Sequence, residues 1–558
     1  MTEYILADDY ITDRSDCSKG ILRAVGAAVE KGIGEVRFLE GSYQLKDFTV
    51  IDTLSIAHDD GCGDIHTKEC HLYLEQVHGL TLKGAIDPDG EPATRFAGCH
   101  QLLTEGEPKV QFLLPSIIWA KDCSHLTIEN IALSREPETA SSGVITDIRE
   151  DLVEVEVFDG LPCYDGMAAY CMNRFDLGSG SLTGSSVTYG FGFDTRFHKT
   201  GERTLQIRSR LIASQVQTGE GLSWHQSGRT DFQLFFGGCT DLTFKNVRIR
   251  NTSGFGILTE NCQNIMADKL VIKPAGRQLF AGPRDGWKVY RCTGMVKLQD
   301  CHIEGVRMDG QNVHTNFLTV EEIRGQRALL CSCKYAPIPL STGTELLYYR
   351  GAEEQRLQLK AWSIAGSSWE DGVQSADPSA GKAVGNTNRV TRYLLELECE
   401  LPDELKPGAL LDALCWLPTE YQCISSTFRN IAGAGHLLRC RNVMIKDCTY
   451  ENIMNAGILI GAELDTHREG GHGANITIEG CWFVNCGFKP RYGFCGMGGV
   501  AVRSQGFDAP VNHDIRICNN HFLNCDKGIE IRTVRDIQIE NNRFSRVRKP
   551  IDTDIGLT

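Results

Sequence analysis

Along most of the chain, apolar and polar positions alternate in short runs that return after a fixed interval. One run reads Cys123-Ser-His-Leu126-Thr-Ile128-Glu-Asn-Ile131, and another Cys239-Thr-Asp-Leu242-Thr-Phe244-Lys-Asn-Val247. The pattern returns at Cys262, Cys292 and Cys440, and later at Asn475, Asp514 and Asp536. Leu242 and Ile265 stand 23 residues apart, and Ile515 and Ile537 stand 22 apart. Alternation over four to six residues predicts strands with one buried face. A period near 22 is too short for a β-α-β unit and for a propeller blade, and no strict leucine frame is present. It fits one coil of a solenoid of short strands. The expected fold is all-β: a right-handed parallel β-helix. Asn519-Asn520 and Asn541-Asn542 suit its corners, because Asn tolerates the left-handed conformation.

The N-terminus departs from this pattern. Ser15 and Asp16 are N-cap residues, and Ile21, Leu22, Val25, Ala28 and Val29 form one helical stripe that Gly32 and Gly34 end. A capping helix over the open end of the solenoid is expected, with Glu35–Tyr43 as the first strand. Two stretches interrupt the repeat with longer alternating runs, and each predicts a small antiparallel β domain. The expected order is cap and first coils at 1–135, an insert at 136–228, central coils at 229–315, a second, barrel-like insert at 316–428, and final coils at 429–558.

At 558 residues the chain exceeds the usual size of one compact core, which a repeat architecture accommodates by lengthening. A formal charge of −15 argues against nucleic acid or an anionic membrane as partner, and no run reaches the roughly 20 apolar residues of a membrane span. A neutral polar substrate such as a sugar suits an acidic protein, and a homo-oligomer is compatible with it. Met1 to Asp9 lacks the basic start and apolar run of a secretory signal. The 23 cysteines are therefore expected to be reduced in a cytoplasmic protein, many as small apolar residues stacked in the core. Cys62, His66, Cys70 and His71 are loosely zinc-like in spacing, but with so many cysteines chance explains them; no metal or cofactor is expected.

Chemistry concentrates between the inserts, in Arg277, Arg284-Asp285-Gly-Trp287 and Met308-Asp309-Gly-Gln-Asn312-Val-His314. Asp285 and Asp309 lie 24 residues apart, about one coil, and are expected on successive rungs about 4.8 Å apart. Paired carboxylates are what cleavage of a glycosidic bond requires. Asn312 and His314 alternate with Val313 and should project together toward Asp309. Trp287 is a candidate for stacking on a sugar face.

The stretch from Arg284 to Gly294, followed by Met308 to His314, resembles glycoside hydrolase family 110. Phe255-Gly-Ile-Leu, Asn455-Ala-Gly-Ile-Leu-Ile-Gly, Arg468-Glu469-Gly-Gly and Ala57-His58-Asp59-Asp60 are similar to further motifs of that family. The resemblance implies a β-helix exo-α-galactosidase that inverts the anomeric centre. It makes Asp285 the general acid and Asp309 the general base, with Arg277, Arg284, Trp287, Asn312, His314, Arg468 and Glu469 around the sugar. Met308 stands where the family has a second aspartate, Thr315 where it has a glycine, and His467-Arg468 where it has Trp-Phe. The implied substrate is an oligosaccharide or glycoconjugate ending in an α-linked galactose or a similar sugar. Two rivals stay open at this point: a polysaccharide lyase, for which Arg277 and Arg284 would neutralise a uronate, and a carbohydrate-binding β-helix without catalysis.

Overall fold

The computed structural model describes residues 3–53, 67–99, 101–102, 112–188, 195–225, 232–371, 387–464, 468–488 and 496–554. The chain winds as a parallel β-helix in which each coil gives one short strand to each of three long sheets of 12, 13 and 11 strands. One coil runs through Gln263–Asp268, Val271–Ile272 and Trp287–Tyr290; the next through Thr293–Gln299, His302–Glu304 and Gln311–Asn316. Register holds residue by residue from coil to coil: Leu242 lies on Ile265 and Ile515 on Ile537, as the period predicts.

One corner is built from left-handed residues. Asn130, Asn246, Asp447, Asn519 and Asn541 all have φ between 52° and 58° or at 59°. The residue after each turns inward, as Cys481 does after Gly480 at φ 68°, so Cys448, Cys481, Asn520 and Asn542 stack inside, with Cys481 N donating to Asn520 Oδ1 at 2.8 Å and Asn520 N to Asn542 Oδ1 at 3.0 Å. A second ladder holds Cys262 and Cys292, and every cysteine among the described residues is unbridged. The lumen beyond is a column of parallel rings: Phe428 on Tyr450, Phe483, Phe522 and Phe544, each about one rung from the next at 4.8–5.2 Å.

The helix Ser18–Lys31 covers the first coils and sends Ile21, Ala24, Val25 and Ala28 into the same core. Val29 falls off that face and is half exposed. The residue at the N-cap position is Cys17, while Asp16 accepts from Ser18 N at 3.1 Å and from Asp47 N at 3.0 Å, so it ties the helix start to the first turns. Gly32, at φ 66°, ends the helix. The expected strand 35–43 is two strands, Glu35–Arg37 and Gly41–Leu45, because it rounds a corner.

The first insert is a seven-stranded antiparallel sheet between Ala140 and His225, and the second a closed six-stranded barrel between Leu318 and Ala413. The β-helix resumes at Glu420, earlier than the expected start at 429, since Glu420–Ile424 pairs in parallel with Thr293–Gln299. Leu318 pairs with Leu411, so the barrel begins and ends at one point on the coil.

Candidate active site

Asp285 and Asp309 each precede the strand that their coil contributes to the 13-stranded sheet, and each is followed by a glycine. Those glycines belong to a column in which every coil presses on the next. A Cβ on Gly286 would lie 2.7 Å from the Gly310 carbonyl oxygen, and one on Gly310 2.6 Å from that of Gly435. Gly256 and Gly457, within Phe255-Gly-Ile-Leu and Asn455-Ala-Gly-Ile-Leu, stand in this column too. The glycines fix the backbone beside the acids.

The two acids are stacked. The Asp309 N–H donates to Asp285 Oδ1 at 3.2 Å, and the Ala434 N–H on the next coil donates to Asp309 Oδ1 at 2.8 Å. Asn312 Nδ2 reaches the other Asp285 oxygen at 3.4 Å. Asp285 is only 3% exposed, whereas Asp309 is half-buried. Both inserts touch this stretch. Arg307, fully buried, donates to Asn173 Oδ1 and the Met172 carbonyl of the first insert, which sets the approach to Met308 and Asp309. On the other flank, Tyr290 Oη donates to Asn316 Oδ1 at 2.6 Å just before the barrel begins.

Asn312 projects outward beside Lys288, while Val313 turns into the core. His314 is buried. Its Nδ1 lies 3.0 Å from the Thr315 carbonyl and its Nε2 3.7 Å from Glu469 Oε1. Glu469 arrives on a short return segment that pairs antiparallel with Gln311–Asn316, Asn316 opposite Glu469 and Thr315 opposite Gly470. The barrel clamps that segment: Asp412 Oδ1 accepts from Gly471 N at 3.0 Å.

Three expected sugar contacts are placed elsewhere. Trp287 is fully buried inside the lumen, edge-on to Phe244 at 5.6 Å, because it shares parity with inward Val289 while Lys288 and Tyr290 face out. Arg277 is exposed, its guanidinium 4.4 Å above Phe158 of the first insert. Arg468 is exposed at φ 53°, and it is its backbone carbonyl that meets Asn316 Nδ2, at 3.1 Å. Arg284 is half-buried with its guanidinium 4.9 Å from the Phe255 ring, directly before Asp285. The segment Ala57-His58-Asp59-Asp60, together with Cys62 and His66, lies outside the described residues. Cys70 and His71 are buried, and no cluster of metal-ligating side chains occurs among the described residues.

Sequence reasoning missed Arg439 and Glu463. Arg439, 5% exposed, forms an ion pair with Glu469 and donates from Nε to the Gly461 carbonyl at 3.2 Å. Burial draws its guanidinium down to about 10, against the pull of Glu463, Asp309 and Asp285. Glu463, 8% exposed, is bridged by backbone to Glu469. The signal was in the repeat: Leu438 lies on Val313, which puts Arg439 on His314, but the barrel separates the two coils in sequence. Four carboxylates, Asp285, Asp309, Glu463 and Glu469, gather about Arg439, with Asn312 and His314 beside them and Arg284 and Lys288 on the coil of Asp285.

Residues 414–551 match the family described as right handed beta helix region. Alpha-1,3-galactosidase A of Akkermansia muciniphila is 21% identical over 503 residues, 85% of this chain and 80% of that protein. Alpha-1,3-galactosidase B of Bacteroides thetaiotaomicron is 21% identical over 87% of this chain and 76% of its own length. Alpha-1,3-galactosidase A of Bacteroides fragilis strain YCH46 is 24% identical over 51% of this chain and 45% of its own. Among solved structures, the A-module of a mannuronan C-5 epimerase from Azotobacter vinelandii covers 99% of this chain and 98% of its own at 12% identity and a TM-score of 0.39. The chain is a divergent relative of the alpha-1,3-galactosidases, the family its central motifs resemble.

Proposed function

We propose that the protein is an exo-acting glycoside hydrolase that removes a terminal α-linked galactose or similar sugar with inversion. The observation that carries this reading is the stacking of Asp285 on Asp309 at the edge of an outward sheet face, with Asn312 against one of them. Kinship with the alpha-1,3-galactosidases supports the substrate class.

The two acids differ in access. A base must meet water, and Asp309 is the half-exposed one; Asp285 is the more enclosed, which suits it to the part of the acid. Asp309 therefore deprotonates the attacking water and Asp285 protonates the leaving group. Asn312 and Glu469 supply hydrogen bonds to sugar hydroxyls, and His314 steadies Glu469.

A second reading of the roles has an observation behind it. Both carboxylates accept an N–H from the coil that follows, so they point alike and stand about one 4.8 Å rung apart. Inverting enzymes usually separate their acids by about 6.5–9.5 Å. In that second reading both aspartates grip the water, and Glu463 or Glu469 gives the proton.

The cleft's charge speaks against the lyase. Four carboxylates around Arg439 repel a uronate, and Arg277 stacks on Phe158 instead of facing the acids. A screen of nitrophenyl α- and β-glycosides tests the reading. Release from an α-galactoside or a close relative, with the β-sugar formed first by NMR, supports it. Unsaturated product from a uronate polymer, or no turnover at all, defeats it.

A further inference from the structure

Four carboxylates gathered about one buried arginine pose a physical problem. Like charges at short range drive each other to hold protons, and burial does the same. A cleft that must keep a base ionised needs a cation held in place. Arg439 is in that position. Its backbone N–H donates to the Val313 carbonyl at 2.9 Å, which sets it on the coil after His314. Its Nε is fixed on the Gly461 carbonyl at 3.2 Å, and its fork meets Glu469.

We propose that Arg439 is a positioning residue that pins Glu469 at the rim of the cleft and holds a fixed positive charge beside the base, Asp309. For its kinetic arm the inference rests on the glycosidase reading; its stability arm does not. The groups facing Arg439 come from every neighbouring element. Asp285 and Asp309 approach from the sheet edge, Glu463 from the end of its coil's strand, Glu469 from the return segment, and His314 from the coil before, with Tyr290 and Glu260 beyond it in the same column. Arg503, on the coil after Gly461, is turned to Glu530 at 3.4 Å. Arginine suits the place better than lysine, because its planar fork can bind a carboxylate while Nε still donates to backbone.

The test uses Arg439→Met, which keeps length and removes charge, and Arg439→Lys, which keeps charge. Thermal unfolding is followed between about pH 4 and pH 7. Carboxylates that ionise without their counter-charge destabilise the fold progressively as pH rises. The deficit of the Met variant in Tm should therefore widen from the acidic to the neutral end, while that of the Lys variant stays level. A Met deficit that is the same throughout marks a packing role and overturns the proposal. If Arg439→Met alone does not fold, the double variant with Glu469→Gln should recover stability, because it removes the carboxylate that pairs with Arg439 directly; a double variant no better than the single overturns it too. On a glycoside the wild type cleaves, the acidic limb of kcat/KM should rise by about one pH unit in the Met variant and return in the Lys variant with KM still raised. An unmoved limb contradicts the proposal. If the wild type cleaves no glycoside, the functional reading fails and the unfolding series still decides the role of Arg439.

Discussion

The backbone N–H of Asp309 lies 3.2 Å from Oδ1 of Asp285, so the coil repeat itself ties the two acids together. Neither can shift along the solenoid axis without breaking the register of Gly286 on Gly310. The site is rigid for the same reason that the fold is: each residue is located by the coil beneath it.

Trp287 provides a check on that register. Its ring is wholly inside the lumen against Phe244, so Trp287→Ala should cost about 3–5 kcal/mol of stability through cavity formation. Trp287→Phe should cost less, and should leave KM for any sugar unchanged. Denaturant unfolding with parallel kinetics measures both. A raised KM in a Phe variant of near-native stability would place the ring in the cleft after all.

Asp412 makes stability depend on pH. Burial pushes its carboxyl up to about 7, against the hydrogen bond from Gly471 N. The folded chain thus holds a proton that the unfolded chain loses near pH 4, and stability falls as pH rises from about 4 to 7, by up to about 1.4 kcal/mol per unit. Asp412→Asn keeps an oxygen for Gly471 and removes the charge. Its Tm should match the wild type near pH 4 and exceed it near pH 8; an equal shift at both ends would contradict the assignment.

The barrel shapes the cleft as well as hanging from it. Asp412 grips the segment that carries Glu469, and Asn316 bridges Tyr290 to the Arg468 carbonyl. Because Leu318 pairs with Leu411, residues 318–413 can be replaced by a short linker across adjacent ends. The shortened chain should keep its β-sheet circular dichroism and lose turnover by orders of magnitude. Full activity would make the barrel dispensable.

The cysteine ladders give a compartment test. Cys123, Cys239, Cys262 and Cys292 are buried corner residues, and the sequence-based expectation that they stay reduced in the cytoplasm is open to a direct test. Thiol titration of denatured protein kept free of reductant should find nearly all 23 free. Several bridges would contradict that setting.

The coil was legible because stacking writes a strict period into the chain, and the Asp285–Asp309 spacing followed from it. What was not legible depends on parity and on distance along the sequence. Trp287 reads as a sugar platform by residue type, yet one step of alternation sends it inward. Arg439 carries no motif, and the barrel hides its register with His314. Glu463 continues the coil past Ile458–Ile460 in register with Gln505 of the next coil, but no motif marks it out as a cleft residue. The aromatic column from Phe428 to Phe544 was present in the spacing but merged with the apolar positions around it.

The central claim is that Asp285 and Asp309 carry the reaction, and one comparison tests it most directly: kcat/KM of Asp285→Asn and Asp309→Asn on a natural disaccharide and on its nitrophenyl counterpart. Help from a general acid is worth typically 10²–10⁴-fold, and a nitrophenolate can leave without it. Asp285→Asn should therefore lose orders of magnitude on the disaccharide and much less on the nitrophenyl glycoside, while Asp309→Asn should lose heavily on both. Equal heavy losses by Asp285→Asn on both substrates would move the proton donor to Glu463 or Glu469 and keep the pair as the base. Wild-type-like turnover by both Asn variants would contradict the assignment of this cleft as the active site.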